Sequence, residues 1–232
     1  MGPQINMVCV QSILPENCKL FLIWMGMACL LGLGILAYFA GTTGSFPGEL
    51  SASKWVQSWQ FPWIDAVMRA ISAPGLRIAG IPFSLLALPI LFFMGWRKES
   101  VLILVSTVVA SGIVSVIKEM VARPRPSVGL MQASEEFAGF AFPSGHVTHY
   151  VVYLGILGAL LIWAIKPKLV RAFIILIIAL ALVGIGVSRL YLGAHQLGDV
   201  VGGYLLGSCV AVFSISLWRM WVSRFNIDST GE

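Results

Sequence analysis

Long apolar runs, interrupted by short polar links, set the pattern of this chain. Six runs have the length of a membrane span, for which a hydrocarbon core of about 30 Å asks roughly 20 apolar residues in a helix. They extend from Leu20 to about Ala40, about Ile78 to Trp96, Val101 to about Val121, about Val147 to Ile165, about Val170 to Val187, and about Gln196 to Trp218. The pattern therefore predicts an all-α integral membrane protein with six transmembrane helices. The links are short and no repeat is visible, so residues 1–232 are read as one domain. The first run is too long for the apolar part of a cleaved signal peptide, and no basic stretch precedes it. Between the first two runs, the segment SASKWVQSWQFPWIDAVMRAIS interleaves Trp55, Trp59, Phe61 and Trp63 with polar residues. Tryptophan at that density suits the headgroup layer, and an amphipathic interfacial helix is expected there.

Composition strengthens this picture. The 232 residues are 58% hydrophobic and 11% charged, against about 45–50% and about 25% in soluble domains. A soluble fold would lack polar surface. The net charge is +5, but no Lys/Arg-rich tract accompanies it, so no nucleic-acid partner is expected. Cys9, Cys18, Cys29 and Cys209 form no CxxC pair and suggest neither a disulfide framework nor a zinc site. The basic residues instead report orientation. Lys19, Arg97 with Lys98, Lys166 with Lys168 and Arg171, and Arg219 with Arg224 fall on one side of a six-span layout. That side is expected to be cytoplasmic, with both termini. Lys54, Arg69 and Arg77 fall on the other.

Candidate chemistry gathers on that other side. All three histidines, one aspartate and four basic residues lie in three short segments at the ends of the third to sixth spans. Ionisable groups at membrane depth are costly and mark function by default. In KEMVARPRP, Lys118 and Arg125 are seven residues apart, and the two prolines must end the helix, so Arg125 can fold back toward Lys118. Two converging cations suit an anion such as phosphate; the alternative is snorkelling to lipid headgroups. In FAFPSGHVTHY, Ser144 is a natural N-cap, Gly145 permits close approach, and the helix start offers N–H groups to an anion. His146 beside it is placed to protonate a leaving group; the bland alternative is an ordinary capped helix. His149, one turn on, reads as interfacial or packing. In SRLYLGAHQLGD, His195 and Asp199 share a helical face at i,i+4, and Arg189 adds a third cation. A carboxylate on one imidazole nitrogen raises the nucleophilicity of the other, unless the pair is a purely structural lock. Asp199 has His195 as its obvious partner.

Taken together, three cations, a helix N-terminus, one paired histidine and one further histidine make a phosphoryl-transfer kit. The chain has no acidic cluster near these segments to hold Mg²⁺ or Zn²⁺, so no metal and no other cofactor is expected, and the nucleophile is expected to be a histidine.

The three segments resemble the signature motifs of the type 2 phosphatidic acid phosphatase (PAP2) superfamily. K-x6-R-P is matched by Lys118, Arg125 and Pro126, P-S-G-H by Pro143 to His146, and S-R-x5-H-x3-D by Ser188, Arg189, His195 and Asp199. The layout is similar to the bacterial membrane branch; the related vanadium haloperoxidases are soluble. The resemblance implies that His195 attacks phosphorus, Asp199 orients it, and His146 protonates the leaving oxygen. Lys118, Arg125, Arg189, Ser144 and the Gly145 N–H would hold the phosphate. It implies a lipid phosphate substrate such as undecaprenyl diphosphate, phosphatidylglycerol phosphate or phosphatidate, met at the outer face of a bacterial inner membrane. A lipid phosphotransferase using the same phosphohistidine is the alternative.

Overall fold

Apolar side chains cannot satisfy a backbone, so a chain crossing lipid must bond its own N–H and C=O groups internally, and a helix does so within one segment. The computed structural model describes residues 16–59, 61–73, 88–126 and 139–227, in which the regular structure is all helical, with no strand. The helices are α1 (Glu16–Thr42), α2 (Glu49–Gln57), α3 (Pro62–Ser72), α4 (Arg97–Val121), α5 (Gly145–Ala164), α6 (Lys168–Tyr191) and α7 (Leu197–Ile227). Five of these, α1 and α4 to α7, contain spans of 20–25 residues that are long and apolar enough to cross a membrane. The expected second span lies largely outside the described residues, as does Arg77; residues 88–93 at its end are helical. The expected interfacial segment divides into two short helices. Pro62 starts α3 and disfavours helix at Phe61, whose ψ is 132°.

The observed spans overrun the expected ones. α4 starts at Arg97 rather than Val101, and α7 continues past Trp218 to Ile227. Apolarity marks the lipid-spanning part of a helix, whereas Arg, Lys and Glu propagate the helix beyond it. Pro167 separates α5 from α6: it is the N-cap of α6 and keeps Lys166 out of helix.

α5 is the central helix and packs on α4, α6 and α7; α1 packs on α7, and α3 on α6. The α5–α7 contact uses small residues, as helix pairs in lipid commonly do. A Cβ on Gly203 would sit 2.9 Å from Val147 Cβ, and one on Gly207 would sit 2.6 Å from Val151 Cβ. The spans of α5 and α7 are accordingly 44% buried inside the protein, against 11% for α1 and α6. Leu31, Phe173 and Leu180 are exposed on those outer helices, as a lipid-facing surface requires.

Candidate active site

The three polar segments meet at one end of the bundle, where α4 and α6 finish and α5 and α7 begin. α4 ends at Val121, before either proline. Ala122 takes a left-handed conformation (φ 48°) and its N–H bonds the Lys118 carbonyl, as in an αL cap. The chain then returns along residues 139–144. The Ala141 N–H bonds the Arg123 carbonyl at 2.9 Å. Lys118 Nζ donates to the Phe140 carbonyl. Arg125 Nε donates to the neighbouring Gly139 carbonyl at 3.0 Å, and its Nη1 to the Ala194 carbonyl at 2.6 Å. The folding back of Arg125 toward Lys118 is thus realised on two adjacent peptide groups. Burial lowers the Arg125 pKa from its ordinary value, and the charge of Asp199 opposes this.

Ser144 occupies the N-cap position of α5 with extended backbone, as expected, yet its hydroxyl makes no capping bond. Its N–H instead bonds the Asp199 carbonyl at 2.9 Å, which pins the start of α5 to the start of α7. Ser144 Oγ and His146 Nε2 are both buried without a hydrogen-bond partner. The charges of Arg189 and Arg125 reach His146, and so does His195. His149 stacks on Tyr153, with ring centroids 6.2 Å apart and planes within 3°, a packing role.

The third segment is held by a turn. Arg189 is buried, and its carbonyl accepts the N–H groups of Ala194 (3.1 Å) and His195 (3.4 Å). Gly193 turns the chain with φ 69°, a conformation that most side chains resist. Ser188 points elsewhere: its hydroxyl donates to the Met68 carbonyl at 2.7 Å and ties α6 to α3. His195 is buried, with Nδ1 3.6 Å from Asp199 Oδ2. That is a few tenths of an ångström beyond a hydrogen bond, and catalytic contacts commonly tighten when substrate arrives. Burial pulls the His195 pKa down from 6.5 to about 4, while Asp199 opposes the shift. The imidazole is therefore neutral near pH 7, the form with a lone pair to offer.

Asp199 has a closer partner than His195. Arg123 Nη1 donates to its Oδ1 at 2.7 Å, while Oδ2 accepts the Gln196 N–H at 2.9 Å. Arg123 also pairs with Glu49 of α2 at 2.6 Å, and both side chains are buried. Burial alone would lower the Arg123 pKa; Asp199 and Glu49 more than offset it, so the guanidinium is held above its ordinary value. Removing one member of a buried ion pair costs about 3–5 kcal/mol. The expectation that Asp199 belongs to His195 alone is corrected accordingly. The sequence offered one hint of Arg123, the surplus of cations over acids in the three segments. It offered none of Glu49, which stands 74 residues from Arg123.

A neutral buried histidine, cations, a helix start and unpartnered polar atoms thus gather at one end of an apolar bundle, an arrangement suited to holding a phosphoryl group. The comparisons with known proteins agree. The PAP2 superfamily matches residues 99–223, more than half of the chain, and the chain belongs to this family. Phosphatidylglycerophosphatase B of Bacillus subtilis is 28% identical over 174 residues, covering 75% of this chain and 84% of that protein. An undecaprenyl-diphosphatase of Sulfolobus acidocaldarius is 27% identical over 199 residues, covering 84% and 90%. The crystal structure of a transmembrane PAP2-type phosphatidylglycerolphosphate phosphatase from Bacillus subtilis superposes with a TM-score of 0.73 at 26% identity, covering 85% of this chain and 97% of that one. The protein is an integral membrane phosphatase that hydrolyses phosphoric esters.

Proposed function

We propose that this protein is a lipid phosphate phosphatase acting, as one domain, through a phosphohistidine. The observation that carries the reading is the meeting of the three polar segments at one end of the bundle, where Ser144 Oγ and His146 Nε2 beside the start of α5 are among the buried atoms without a protein partner. Buried polar atoms are almost always satisfied. Here a phosphate oxygen and a leaving-group oxygen would serve as partners. His195 Nε2 attacks phosphorus as the bond to the leaving oxygen breaks, and His146 gives that oxygen a proton. Water, surrendering a proton to His146, then attacks the phosphohistidine and releases phosphate. Asp199 steadies the imidazolium character that develops on His195. Lys118, Arg125, Arg189, Ser144 Oγ and the Gly145 N–H hold the phosphoryl oxygens, which is the charge a metal ion would otherwise supply.

The lipid character of the substrate is supported by a groove of about 860 Å³ between α1, α4 and α7. Leu33, Val105, Val109, Ile113, Ile117 and Phe213 contribute to its apolar wall. On α4 it runs from Ile117, next to Lys118, to Arg97, about 30 Å at 1.5 Å per residue. A long lipid tail fits that path. Relatives named for phosphatidylglycerophosphate and for undecaprenyl diphosphate make both lipids first choices for this chain. The basic links favour a site on the outer face of a bacterial plasma membrane, and the exposed Trp55, Phe61 and Trp63 of α2, α3 and the link between them suit the headgroup layer there.

The test is phosphate release from a panel of lipid phosphates by purified protein, with His195→Ala as control. Release from one class, lost in the variant, is expected. Transfer of phosphate to a lipid acceptor without release would identify a phosphotransferase. A reporter active only outside the cytoplasm should be active when fused after Gln132 and silent after Lys168; the reverse would place the site in the cytoplasm.

A further inference from the structure

Arg123 is among the most deeply buried side chains of the described structure, yet nothing in the phosphoryl chemistry needs it. A guanidinium has five N–H donors, and all five are spoken for. Nε donates to the Gly44 carbonyl at 3.0 Å. Nη1 donates to Asp199 Oδ1 at 2.7 Å and to Glu49 Oε1 at 3.4 Å. Nη2 donates to Glu49 Oε2 and to Gln196 Oε1, at 2.6 and 2.7 Å. The guanidinium carbon also lies 5.3 Å from the centre of the Phe46 ring. No donor is left for a phosphate oxygen, so Arg123 does not share the work of Arg125 two residues on.

Its bonds lead instead to the support of the nucleophile. Gln196 follows His195 directly and Asp199 lies in the first turn of α7; His195 itself precedes that helix, so His195 and Asp199 do not share a helical face as the i,i+4 spacing led one to expect. Glu49 reaches the same turn independently, accepting the Gly198 N–H on Oε1 at 2.6 Å. It also accepts the Phe46 N–H on Oε2 at 2.7 Å, which fixes the carboxylate to its own helix start. Gly198 is small where it must be: a Cβ there would come within 2.6 Å of both Glu49 Oε1 and the Phe46 ring. The side-chain hydrogen bonds of Arg123 and Glu49 thus end on residues 196–199 or on residues 44–49, which back them.

We propose that Arg123 and Glu49 are positioning residues that fix the Asp199 carboxylate, and through it the His195 ring, in the orientation for attack. Arg123 binds Asp199 Oδ1 and leaves Oδ2 to face His195. Glu49 holds Arg123 in place and clamps the Gly198 peptide. α2, far from the three motifs in sequence, thereby becomes part of the catalytic apparatus. The inference rests on the reading of His195 as the nucleophile.

The test compares whole, detergent-purified wild type with Arg123→Met, Arg123→Lys, Glu49→Gln and His195→Ala. Burst kinetics on an activated aryl phosphate give the number of competent sites (amplitude) and the phosphorylation rate constant; steady state on a lipid phosphate gives kcat and KM. An ångström of misplacement can cost about 100-fold. Arg123→Met should lower the rate constant by roughly 10–100-fold with amplitude retained and KM changed less than about threefold. Arg123→Lys should recover part of the rate, and Glu49→Gln should lose roughly 3–10-fold. If Arg123→Met does not fold, Arg123→Lys and Glu49→Gln decide. Reduced amplitude at an unchanged rate constant would mean a merely structural role and overturn the proposal. So would wild-type rates in both conservative variants, or a large rise in KM with kcat intact, which would put Arg123 on the phosphate. An active His195→Ala would overturn the nucleophile reading itself; an inactive one beside wild-type Arg123→Lys and Glu49→Gln would sink the positioning role alone.

Discussion

Lowering the pH separates a buried, neutral nucleophile from an ordinary histidine. In its site His195 titrates at about 4 instead of 6.5, with burial as the main cause and Asp199 opposing it. The sign follows from the chemistry: protonation removes the lone pair, so phosphorylation fails as pH falls through the folded-state pKa and is insensitive to pH above it. At pH 5.5 a histidine with a pKa of about 4 is about 97% neutral, whereas one at 6.5 is about 9% neutral. The two cases differ roughly tenfold in rate at that pH. The assay is the rate of phosphoenzyme formation, by acid quench, from an activated aryl phosphate that needs little help from His146. The ionisation of the aryl phosphate, titrated separately, is divided out. A flat profile from pH 8 to about 5, falling toward 4, is expected. A midpoint near 6.5 would show that His195 is not desolvated in the working enzyme, and the account of its reactivity would be wrong.

Three further outcomes follow from the geometry. His146→Ala should cost roughly 10²–10⁴-fold on a lipid phosphate but far less on an activated aryl phosphate, because only the former needs the proton; equal losses on both would remove His146 from that role. Activity should survive excess chelator, and orthovanadate should inhibit with a dependence on His195, Lys118, Arg125 and Arg189, since a transition-state mimic draws on the contacts that stabilise charge; restoration of a chelated enzyme by Mg²⁺ would refute the histidine mechanism. Gly207→Ala should lower the unfolding temperature in detergent, because its Cβ would meet Val151 Cβ at 2.6 Å, whereas Gly112→Ala, with nothing within 4 Å, should be neutral or gain up to about 1 kcal/mol of helix stability; a gain in both would show that α5 and α7 can part without cost.

The signals that were local in sequence were the ones that could be read. Apolar runs found α1 and α4 to α7, because burial in lipid imposes one hydropathy on every turn of a span. Motif spacing singled out Lys118, Arg125, Ser144, His146, Arg189, His195 and Asp199, and the bundle brings their segments to one end. What sequence did not disclose was competition. Asp199 stands four residues from His195, yet Arg123, 76 positions away, makes the shorter bond. Ser144 was placed correctly as an N-cap, while its hydroxyl is left without a protein partner. Helix ends also escaped hydropathy, because Arg97 and the residues beyond Trp218 extend helices past the apolar stretch. Glu49 carried no pattern at all; only tertiary packing gives a lone glutamate a guanidinium.

The clamp of Glu49 and Arg123 on Asp199 also bears on when the enzyme can first work. Its three members are contributed in order along the chain, by α2, by the exit of α4 and by the start of α7. As the polypeptide emerges N-terminus first, Glu49 and Arg123 are both synthesised before the proposed nucleophile. His195 and Asp199 arrive last, and the bond from Ser144 to the Asp199 peptide can close only then. With His195 as the nucleophile proposed above, hydrolytic competence waits until the final span has docked.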